Sequence, residues 1–502
     1  MGWIDGIERA DGVSERERDE ISALLDVFRR MRRRNKIIES YYEADVRPKP
    51  IGPDTLMKQV KLDVDIACHW PKKAVHALSS LVRFDDFVFE GERDEGMDDA
   101  LRACGFHSAL SRHRVGMFKN GCAFATVGRN DGGSPYVRFH SANTATAIMD
   151  ATTERMRSGL VIATTSTTEW SRKVAVPTQV NVYMPGKVIV ISRGLANSDI
   201  NRWHAESMSL DGDVCMMVPM AYRPSDTKPL GCSRIDASVR DLVDDVLHIR
   251  QVLTLSMELY AIPMRYIVGL NGETFKSLKE NPKWSLYLNP VFTATRDSKG
   301  NTAELGQLPA NSPAALLELL YSDAQQFSSA TGVPTASLGL VQDSAVSAEG
   351  IQERKRDLTD DAQDVIDNQL KPALREIATL VMMVSNNVTS PDDLSDSQRS
   401  VMARFKNPAM PSISAATDAA MKIATVNPAF AQTSVFYEMV GFDQATIRRI
   451  VSEQRMNQAR ANMSPILAQT RGEGETDEEA NTTRGLPQMA QRSPITSDAQ
   501  ER

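Results

Sequence analysis

Histidine, cysteine and carboxylate side chains are the groups in this chain that could hold a metal or activate a nucleophile. The seven histidines never form the H-x-x-x-H pair with an adjacent Glu that zinc hydrolases use. The five cysteines are scattered without a C-x-x-C pair, so neither a zinc ribbon nor a disulfide framework is predicted. Cys68-His69 and the stretch from Cys104 to His107 come nearest to a metal or thiol site, and buried structural residues are the favoured interpretation of both.

Phosphate and carboxylate chemistry is equally unsupported by the residue spacing. The Gly186-Lys187 pair lacks a following Ser or Thr, and Asn181 stands where the first glycine of a phosphate loop belongs. Asp241, Asp244 and Asp245 share a long amphipathic segment, where carboxylates more often form a solvated or inter-subunit face than a catalytic pair. We therefore predict no catalytic residue, metal or cofactor, with an enzyme of unrecognised site kept as an alternative.

Composition is that of a folded, non-membrane protein. The 502 residues, 41% hydrophobic and 25% charged, suggest two to four domains or one large multi-part subunit. The net charge of -7 argues against a large basic face that grips nucleic acid. An acidic lining would repel phosphates and keep DNA mobile, so the charge permits a conduit. With no run of about 18 apolar residues and no signal-peptide pattern, the expected location is a reducing cytosol.

The first half of the chain alternates helix and strand patterns. Ser14 and Glu17 have capping-box spacing ahead of an amphipathic helix over 15–40, which ends in the basic stretch 29–36, RRMRRRNK. That stretch is interpreted either as a solvated helix end or as a contact with nucleic acid or an acidic neighbour. Residues 51–230 predict an α+β region with a largely antiparallel sheet, because β-rich runs at 121–128, 136–140, 160–167 and 187–192 are separated by the turns NDGG and PG.

The second half is dominated by long helices. An apolar stripe over 235–260 predicts a helix about 39 Å long that ends at Pro263. A small β-rich insertion (264–312), a second helix beginning at Pro313, and a loop (331–347) follow. The helix predicted over 348–385 contains Pro372, which indicates a kink or break. Two or three further helices over 401–460 precede a tail too polar to fold.

Five stretches in this order resemble the portal proteins of tailed double-stranded DNA bacteriophages. They are DIACHWPKKAVHALSSLVRFDDFVFEG (65–91), MFKNGCAFATVGRNDGGSPYVRFHSANTATAIMD (117–150), LGCSRI with the long helix and SMELYAIPMRYIVG (230–269), ATGVPTASLGLVQDSAVSAEGIQERKRDLTDDAQ (330–363), and NPAMPSISAATDAAMKI with GFDQATIRRI (407–450). The fourth stretch is the most specific, and the last resembles the actinobacterial-phage branch. The resemblance covers about residues 15–460.

The resemblance implies an α+β portal fold with an α/β wing, a two-helix stem, a β-rich clip, a kinked long helix and a helical crown. In this sequence the implied parts are an N-terminal helical arm (1–50), the wing (51–232), stem helix 1 (233–262), the clip (263–312), stem helix 2 (313–333), a tunnel loop (334–348), the kinked wing helix (349–400), the crown (401–462) and a disordered tail (463–502). Two residues depart from the family pattern, since Cys232 replaces a larger polar residue and His69 replaces an amide.

The function that the resemblance implies is a twelve-subunit ring at one capsid vertex of the virion, through which double-stranded DNA is packaged and ejected. Expected partners are other copies of the chain, the terminase large subunit, a head-completion or adaptor protein, and major capsid and scaffolding proteins, with assembly in the host cytoplasm and no membrane. The expected DNA-proximal tip of the tunnel loop is Leu338, Gly339, Leu340, Val341, Gln342, Asp343 and Ser344. Asp241, Asp244, Asp245 and His248 are expected on a channel or inter-subunit face of the stem, and Asp297, Ser298, Lys299 and Asn301 at the clip docking surface. A different head-tail adaptor or minor capsid protein is the alternative.

Overall fold

A computed structural model describes most of the chain. The described residues are 4, 6–48, 66–90, 95–130, 132–167, 175–193, 202–210, 212–261, 265–268, 304–307, 313–340, 348–409, 413–442 and 446–458. The chain forms two compact units, Met1–Ala409 and Met410–Arg502.

Helix α1 (Glu15–Tyr42) opens the larger unit and begins where the capping box predicted it. The Ser14 backbone N–H donates to the Glu17 carboxylate at 2.8 Å, and the Ser14 hydroxyl donates to the same carboxylate at 2.7 Å. Ile21, Leu24 and Phe28 are buried with apolar side chains of a five-stranded sheet. Helix α1 is thus part of the body, since its apolar stripe covers one face of this sheet.

All strand pairs within the described residues are antiparallel, as the sequence predicted for this region. The five-stranded sheet has the order β4-β5-β6-β7-β8 and the three-stranded sheet the order β3-β2-β9. The predicted PG turn joins β6 and β7 with Met184 paired to Lys187. The strands are β2 (Cys122–Arg129), β3 (Pro135–Ser141), β4 (Ala145–Met149), β5 (Met156–Thr167), β6 (Ala175–Met184), β7 (Lys187–Arg193), β8 (Trp203–Ser209) and β9 (Met217–Ala221).

The three-stranded sheet shares the main hydrophobic core with several helices. Helix α2 (Trp70–Leu81) contributes Val75 and Leu78, and helix α4 (Phe106–Asn120) contributes Phe106 and Phe118. The short helix α3 (Glu95–Ala103) adds further apolar side chains. This core also receives the beginning of α5 (Ala237–Ala261) and the end of α6 (Ala314–Thr331), and so fixes both long helices at one end.

The predicted insertion between α5 and α6 is described only at its base. Strand β10 (Arg265–Val268) pairs with β11 (Glu304–Gln307). The Asn271-Gly272 turn and the WSLYLNPVFTAT run lie outside the described residues.

The helix containing Pro372 continues through the proline. Helix α7 (Ala348–Asp364) passes into a π-helical turn (Val365–Leu370), and α8 (Lys371–Asn386) follows with Pro372 in its first turn. A π turn accommodates the missing N–H and the bulky ring of the proline, so the helix continues without a break. The sequence predicted a kink or break at Pro372; the helix does not break there, and the irregularity that precedes the proline is a π turn.

The sequence predicted two or three helices over 401–460 and did not predict a strand at the start of that range. After helix α9 (Asp396–Arg399), residues Met402–Phe405 form strand β12, which pairs with β1 (Phe84–Val88). Phe405 packs on Phe84 with ring centroids 5.7 Å apart. The strand has four residues, of which only Ala403 is strongly buried, and this is too short an alternation to be recognised in a sequence.

The smaller unit is helical within its described residues. It contains α10 (Ile413–Val426), α11 (Ser434–Val440) and a helix over 446–458, which confirms the two or three helices predicted. Its helices leave many apolar side chains exposed, namely Met421, Ile423, Val426, Val435, Met439, Phe442 and Met456. None of the described helices is long and apolar enough to span a membrane.

Candidate functional site

Helices α5 and α6 form an antiparallel pair. The β10–β11 ladder joins their distal ends, and Arg234, just before α5, donates a hydrogen bond to the Thr331 carbonyl at the end of α6. The start of α5 therefore lies beside the end of α6, as required of two long helices that flank an insertion.

A buried arginine anchors the base of this pair. Arg234 is 7% exposed and donates to the Ala74 carbonyl of α2 at 3.0 Å, to the Tyr222 hydroxyl at 2.8 Å and to the Asp361 carboxylate of α7 at 2.6 Å. A guanidinium has five N–H donors in a planar fork, so a single side chain can bind all of these acceptors and Thr331 together. Arg234 thus connects both long helices to the body and to α7.

The carboxylate partner of Arg234 is held from a second side. Arg223 donates to the other oxygen of Asp361 at 2.8 Å, and the Arg223 backbone N–H donates to the Gln369 side chain at 3.0 Å. Gln369 lies in the π turn, so the turn also contacts this junction. We name Arg223, Arg234, Asp361 and Tyr222 the basal junction.

Gly231, three residues before Arg234, lets the main chain pass close to Tyr222 and Gly121. Its φ is +76°, and a Cβ there would press on the main-chain oxygens of Tyr222 and Gly121. Only glycine fits a left-handed conformation with main chain on both sides. This accounts for the glycine of LGCSRI, one of the stretches on which the family resemblance was based.

The predicted acidic residues of α5 have different environments. Asp241, Asp245 and His248 are exposed, whereas Asp244 is half-buried and accepts a hydrogen bond from the Tyr41 hydroxyl of α1 at 2.9 Å. Burial and the bond to Asp244 raise the pKa of Tyr41 to about 12, so this phenol remains a donor. Asp244 is therefore an internal contact, and the other three residues are available to face a neighbour or a channel.

A fourth carboxylate, unnoticed in the sequence, lies between the two helices. Asp323 of α6 is buried, one of its carboxylate oxygens has no hydrogen-bond partner, and Asp245 lies close enough to influence it. Burial and the negative charge of Asp245 raise the pKa of Asp323. Acidic character thus extends across both helices.

The apolar stripes of α5 and α6 are buried near the body and exposed away from it. On α5, Val239 is 2% exposed and Met257 is 62% exposed; on α6, Phe327 is 0% exposed and Leu319 is 49% exposed. Leu317 and Tyr321 are also exposed. Apolar side chains that the described part of the chain leaves exposed at one place are typical of a protein–protein contact.

The segment after α6 leaves the core gradually. Gly332 ends the helix in the left-handed conformation, Val333 is buried, and a short 3₁₀ turn (Thr335–Leu338) follows. Leu338 packs partly against the core, Gly339 has φ +87° with open space around it, and Leu340 is half-buried. Val341, Gln342, Asp343 and Ser344 lie outside the described residues, as do the clip residues Asp297, Ser298, Lys299 and Asn301.

Three of the cysteines and the Gly186 turn have structural roles. Burial raises the pKa values of Cys122 and Cys215 to about 12 and also raises that of Cys68, so these thiols stay protonated and unreactive. Gly186 lies in the tight turn between β6 and β7. Over the part of the chain that the structure describes, no three His, Cys, Asp or Glu side chains could together hold a metal ion.

A cleft of about 1580 Å³ lies elsewhere in the larger unit. Its walls come from the β4–β5 turn, β12 and α8, and they mix basic side chains such as Arg155 and Arg375 with acidic ones such as Glu376. Desolvation raises the pKa of Glu376, with Arg155 opposing the shift. None of the predicted site residues that the structure describes lines this cleft.

Sequence reasoning missed the basal junction. Its members come from positions 222, 223, 234 and 361, and their spacing carries no periodicity. The available signal was Arg234 itself, a charged residue directly before the apolar stripe that begins at Ile235.

The helix pair is thus fixed at one end by a buried ionic junction and exposes apolar side chains at the other. Comparison with known proteins gives the family. Residues 21–459 match the family described as phage portal protein, SPP1 Gp6-like. The chain therefore belongs to the phage portal protein family.

Two portal proteins of mycobacterial phages agree with this assignment. The chain is 21% identical over 362 residues to the portal protein of Mycobacterium phage L5, with 70% of each chain covered. It is 23% identical over 349 residues to the portal protein of Mycobacterium phage D29, with 67% of this chain and 68% of the relative covered. A solved chain from the neck of a native GTA particle, computed with C12 symmetry, aligns at 12% identity and a TM-score of 0.40 over 80% of this chain and 97% of that one. The protein is a phage portal protein, a structural component of the virion at the capsid vertex.

Proposed function

We propose that twelve copies of this chain form a closed ring at one capsid vertex, and that double-stranded DNA passes through its centre during packaging and ejection. The observation that carries the proposal is the uncovered apolar surface at the distal ends of α5 and α6. A ring is a head-to-tail assembly, so each subunit must offer two different faces to its neighbours. Met257 and Leu319 would be buried against adjacent copies.

This proposal is tested by a polar substitution at the exposed end of the helix pair. Leu319→Asp should abolish rings, because it places a charge where the neighbour's apolar surface would cover it. A matched control is Ser322→Asp on the same helix, which adds the same charge at an exposed polar position. Light scattering on the purified proteins reads out the assembly; rings that survive Leu319→Asp would count against this use of α6.

We assign the parts of the subunit as the family order implies. Residues 51–232 are the wing, 233–262 and 313–333 the two stem helices, 263–312 the clip, 334–348 the tunnel loop and 349–400 the kinked wing helix. Because β12 pairs with β1, the crown is placed after residue 409, in the smaller unit. The exposed apolar side chains of that unit favour contact between neighbouring crowns.

The stem is proposed to present a non-adhesive face to DNA. Asp241, Asp245 and His248 are exposed on α5, and the Asp323 carboxylate lies beside Asp245. Negative charge repels phosphates, so DNA would slide without the counterion-release affinity of a basic lining. Substituting Asp241 and Asp245 by lysine should slow DNA translocation into heads, and unchanged packaging rates in a reconstituted assay would contradict this role.

The tunnel loop is proposed to reach the DNA with polar, uncharged or acidic residues. Leu338 packs partly against the core, so the projecting part would begin at Gly339 and include Gln342, Asp343 and Ser344. Deleting 340–344 should leave rings intact and abolish packaged heads, because the packed Leu338 is retained. Normal packaging by this deletion variant would remove the loop from the mechanism.

The clip is proposed to dock the terminase large subunit during assembly in the host cytoplasm and the head-completion protein afterwards, with capsid and scaffolding proteins contacting the rest of the ring. Substitutions at Asp297, Ser298, Lys299 and Asn301 should weaken pull-down of both docking partners.

We further propose that the ring has no catalytic activity of its own, since the buried thiols and the structural Gly186 turn offer no reactive group. Nucleotide turnover by the isolated ring would overturn that view.

A further inference from the structure

The described surface carries two stripes of opposite charge on different helices. On α1, Arg30, Arg33 and Lys36 are exposed and follow one another at steps of three, so they share one face of the helix over about 9 Å. On α7, Asp357, Asp360 and Asp364 are exposed at steps of three and four, and they share a face over about 11 Å. We call these the basic stripe and the acidic stripe. They are similar in length and opposite in sign.

The basic stripe is distinct from the internal contacts of the same sequence run. Arg34 donates to the Asn120 carbonyl at 2.5 Å, and Asn35 is fully buried and donates to the Ala142 carbonyl at 3.1 Å. The core-facing side of α1 is thus satisfied within the chain, while Arg30, Arg33 and Lys36 point away from it. Three cations on a protein of net charge -7 concentrate positive potential at one place.

The two stripes lie on helices that contact different sides of α2. Tyr42 at the end of α1 hydrogen-bonds to His76 of α2 at 2.9 Å. Arg234 connects the Ala74 carbonyl of α2 to Asp361 of α7. Positions 74 and 76 are about 200° apart around a helix axis, and Ala74 is buried whereas His76 is exposed. The contact from α1 and the contact that leads through Arg234 to α7 therefore lie on different faces of α2.

A second acidic face, Asp241 and Asp245 on α5, fits the basic stripe less well. Tyr41 of α1 bonds to Asp244 of α5 within one chain, so that acidic face already adjoins α1. A head-to-tail interface needs complementary surfaces on different sides of the subunit, and α7 satisfies this requirement.

We propose that the basic stripe of α1 docks on the acidic stripe of α7 in a second copy of the chain, and that this contact sets the direction and register of the ring. The inference rests on the proposed ring and adds the surfaces that join its subunits. Within its own chain the acidic stripe contacts one exposed cation and two neutral amides, which do not compete strongly with the cations of a second copy. Asp360 lies 3.9 Å from Arg356 on an exposed surface, and the two oxygens of Asp364 accept from Asn368 at 2.6 Å and from Gln369 at 3.4 Å, both in the π turn.

Charge reversal on full-length protein tests the proposal. The basic-stripe variant is Arg30→Glu/Arg33→Glu/Lys36→Glu, and the acidic-stripe variant is Asp357→Lys/Asp360→Lys/Asp364→Lys. Each should lower the fraction of subunits in rings at least about tenfold at physiological salt, because like charges then meet across every interface. A net-charge control reverses three exposed cations elsewhere, Arg9→Glu/Arg112→Glu/Lys228→Glu, and should assemble like the wild type.

An equimolar mixture of the two variants distinguishes lost charge pairing from a damaged fold. In an equimolar mixture, every contact between the two variants again pairs opposite charges, so rings should return with the variants alternating, which requires an even subunit number. The chain that carries both reversals should also assemble alone. Native mass spectrometry measures ring mass and composition, and circular dichroism checks that each variant is folded.

Three outcomes would overturn the proposal. Rings formed by either variant alone at wild-type yield would show that the stripes do not meet. Folded variants that fail to assemble when mixed would show that the stripes do not pair with each other. Normal rings with reduced affinity for a DNA duplex in the basic-stripe variant would assign α1 to DNA. If wild-type protein forms no ring at any concentration, the proposed function fails first, and this result is distinct from the other three.

Discussion

Replacing Arg234 should weaken the protein far more than removing any surface ion pair. Arg234→Met deletes the 2.6 Å contact to Asp361 and leaves the Ala74 and Thr331 carbonyls without that donor in a buried region. Removing one partner of a buried ion pair costs about 3–5 kcal/mol, because the remaining charge and acceptors stay desolvated. The matched control is Lys371→Met, which removes a 2.7 Å pair with Asp367 whose side chains are 43% and 42% exposed, and which should cost about 0–1 kcal/mol.

The assay is urea unfolding of dilute, unassembled subunits followed by far-ultraviolet circular dichroism. Arg234 and Asp361 are in direct contact, so a double-mutant cycle with Asp361→Leu should show a coupling energy of at least about 1 kcal/mol between positions 234 and 361. The cycle is needed because Asp361 is also bound by Arg223 and Tyr222. Hydrogen exchange should rise at the start of α5 and the end of α6 together, since Arg234 connects them. Equal losses for Arg234→Met and Lys371→Met would refute the junction as an anchor.

Three further predictions concern single residues. Gly231→Ala should cost several kcal/mol in a melting experiment because of main-chain collisions, whereas Gly339→Ala, with a similar φ but open space, should cost about 1–2 kcal/mol; equal effects would contradict the argument. Burial alone would raise the pKa of Glu17, but hydrogen bonds from Lys187 and Ser14 outweigh it and lower the pKa to about 2. The stability that Glu17 provides is therefore present above pH 4.5 and lost as the pH falls toward 2. Glu17→Gln should flatten the free energy of unfolding as a function of pH over this range. Burial, and then the charge of Arg138, lowers the pKa of His140 from 6.5 to about 3. As the pH falls below 6.5, His140 is protonated in the unfolded state but not in the folded state, so the free energy of unfolding falls by about 2 kcal/mol between pH 7 and 5. His140→Gln should remove this loss, whereas His204→Gln, at an exposed position, should not.

The elements that sequence reasoning predicted well are those with long regular patterns. The stripe from Ile235 to Tyr260 predicted α5 almost to the residue, because a period of 3.6 repeated seven times is a strong signal. The turn residues Pro185 and Gly186 located a hairpin because two-residue β-turns require such residues.

What the sequence could not predict depends on contacts between distant positions. Strand β12 is four residues long and is defined by its pairing with β1, over 300 residues earlier. Arg234 and Asp361 are 127 residues apart, and Asp323 gains its unusual environment only when α6 lies against α5. The family order supplied the function, whereas the surfaces that would join the subunits became visible only when α1 and α7 were seen on different sides of α2.

Cryo-electron microscopy of the purified full-length protein tests the central claim most directly. We expect end-on views of closed rings with a central channel and about twelve-fold symmetry, with Met257 of α5 and Leu319 of α6 covered by adjacent subunits. A monodisperse single subunit at high concentration, with both side chains still exposed to solvent, would contradict the account.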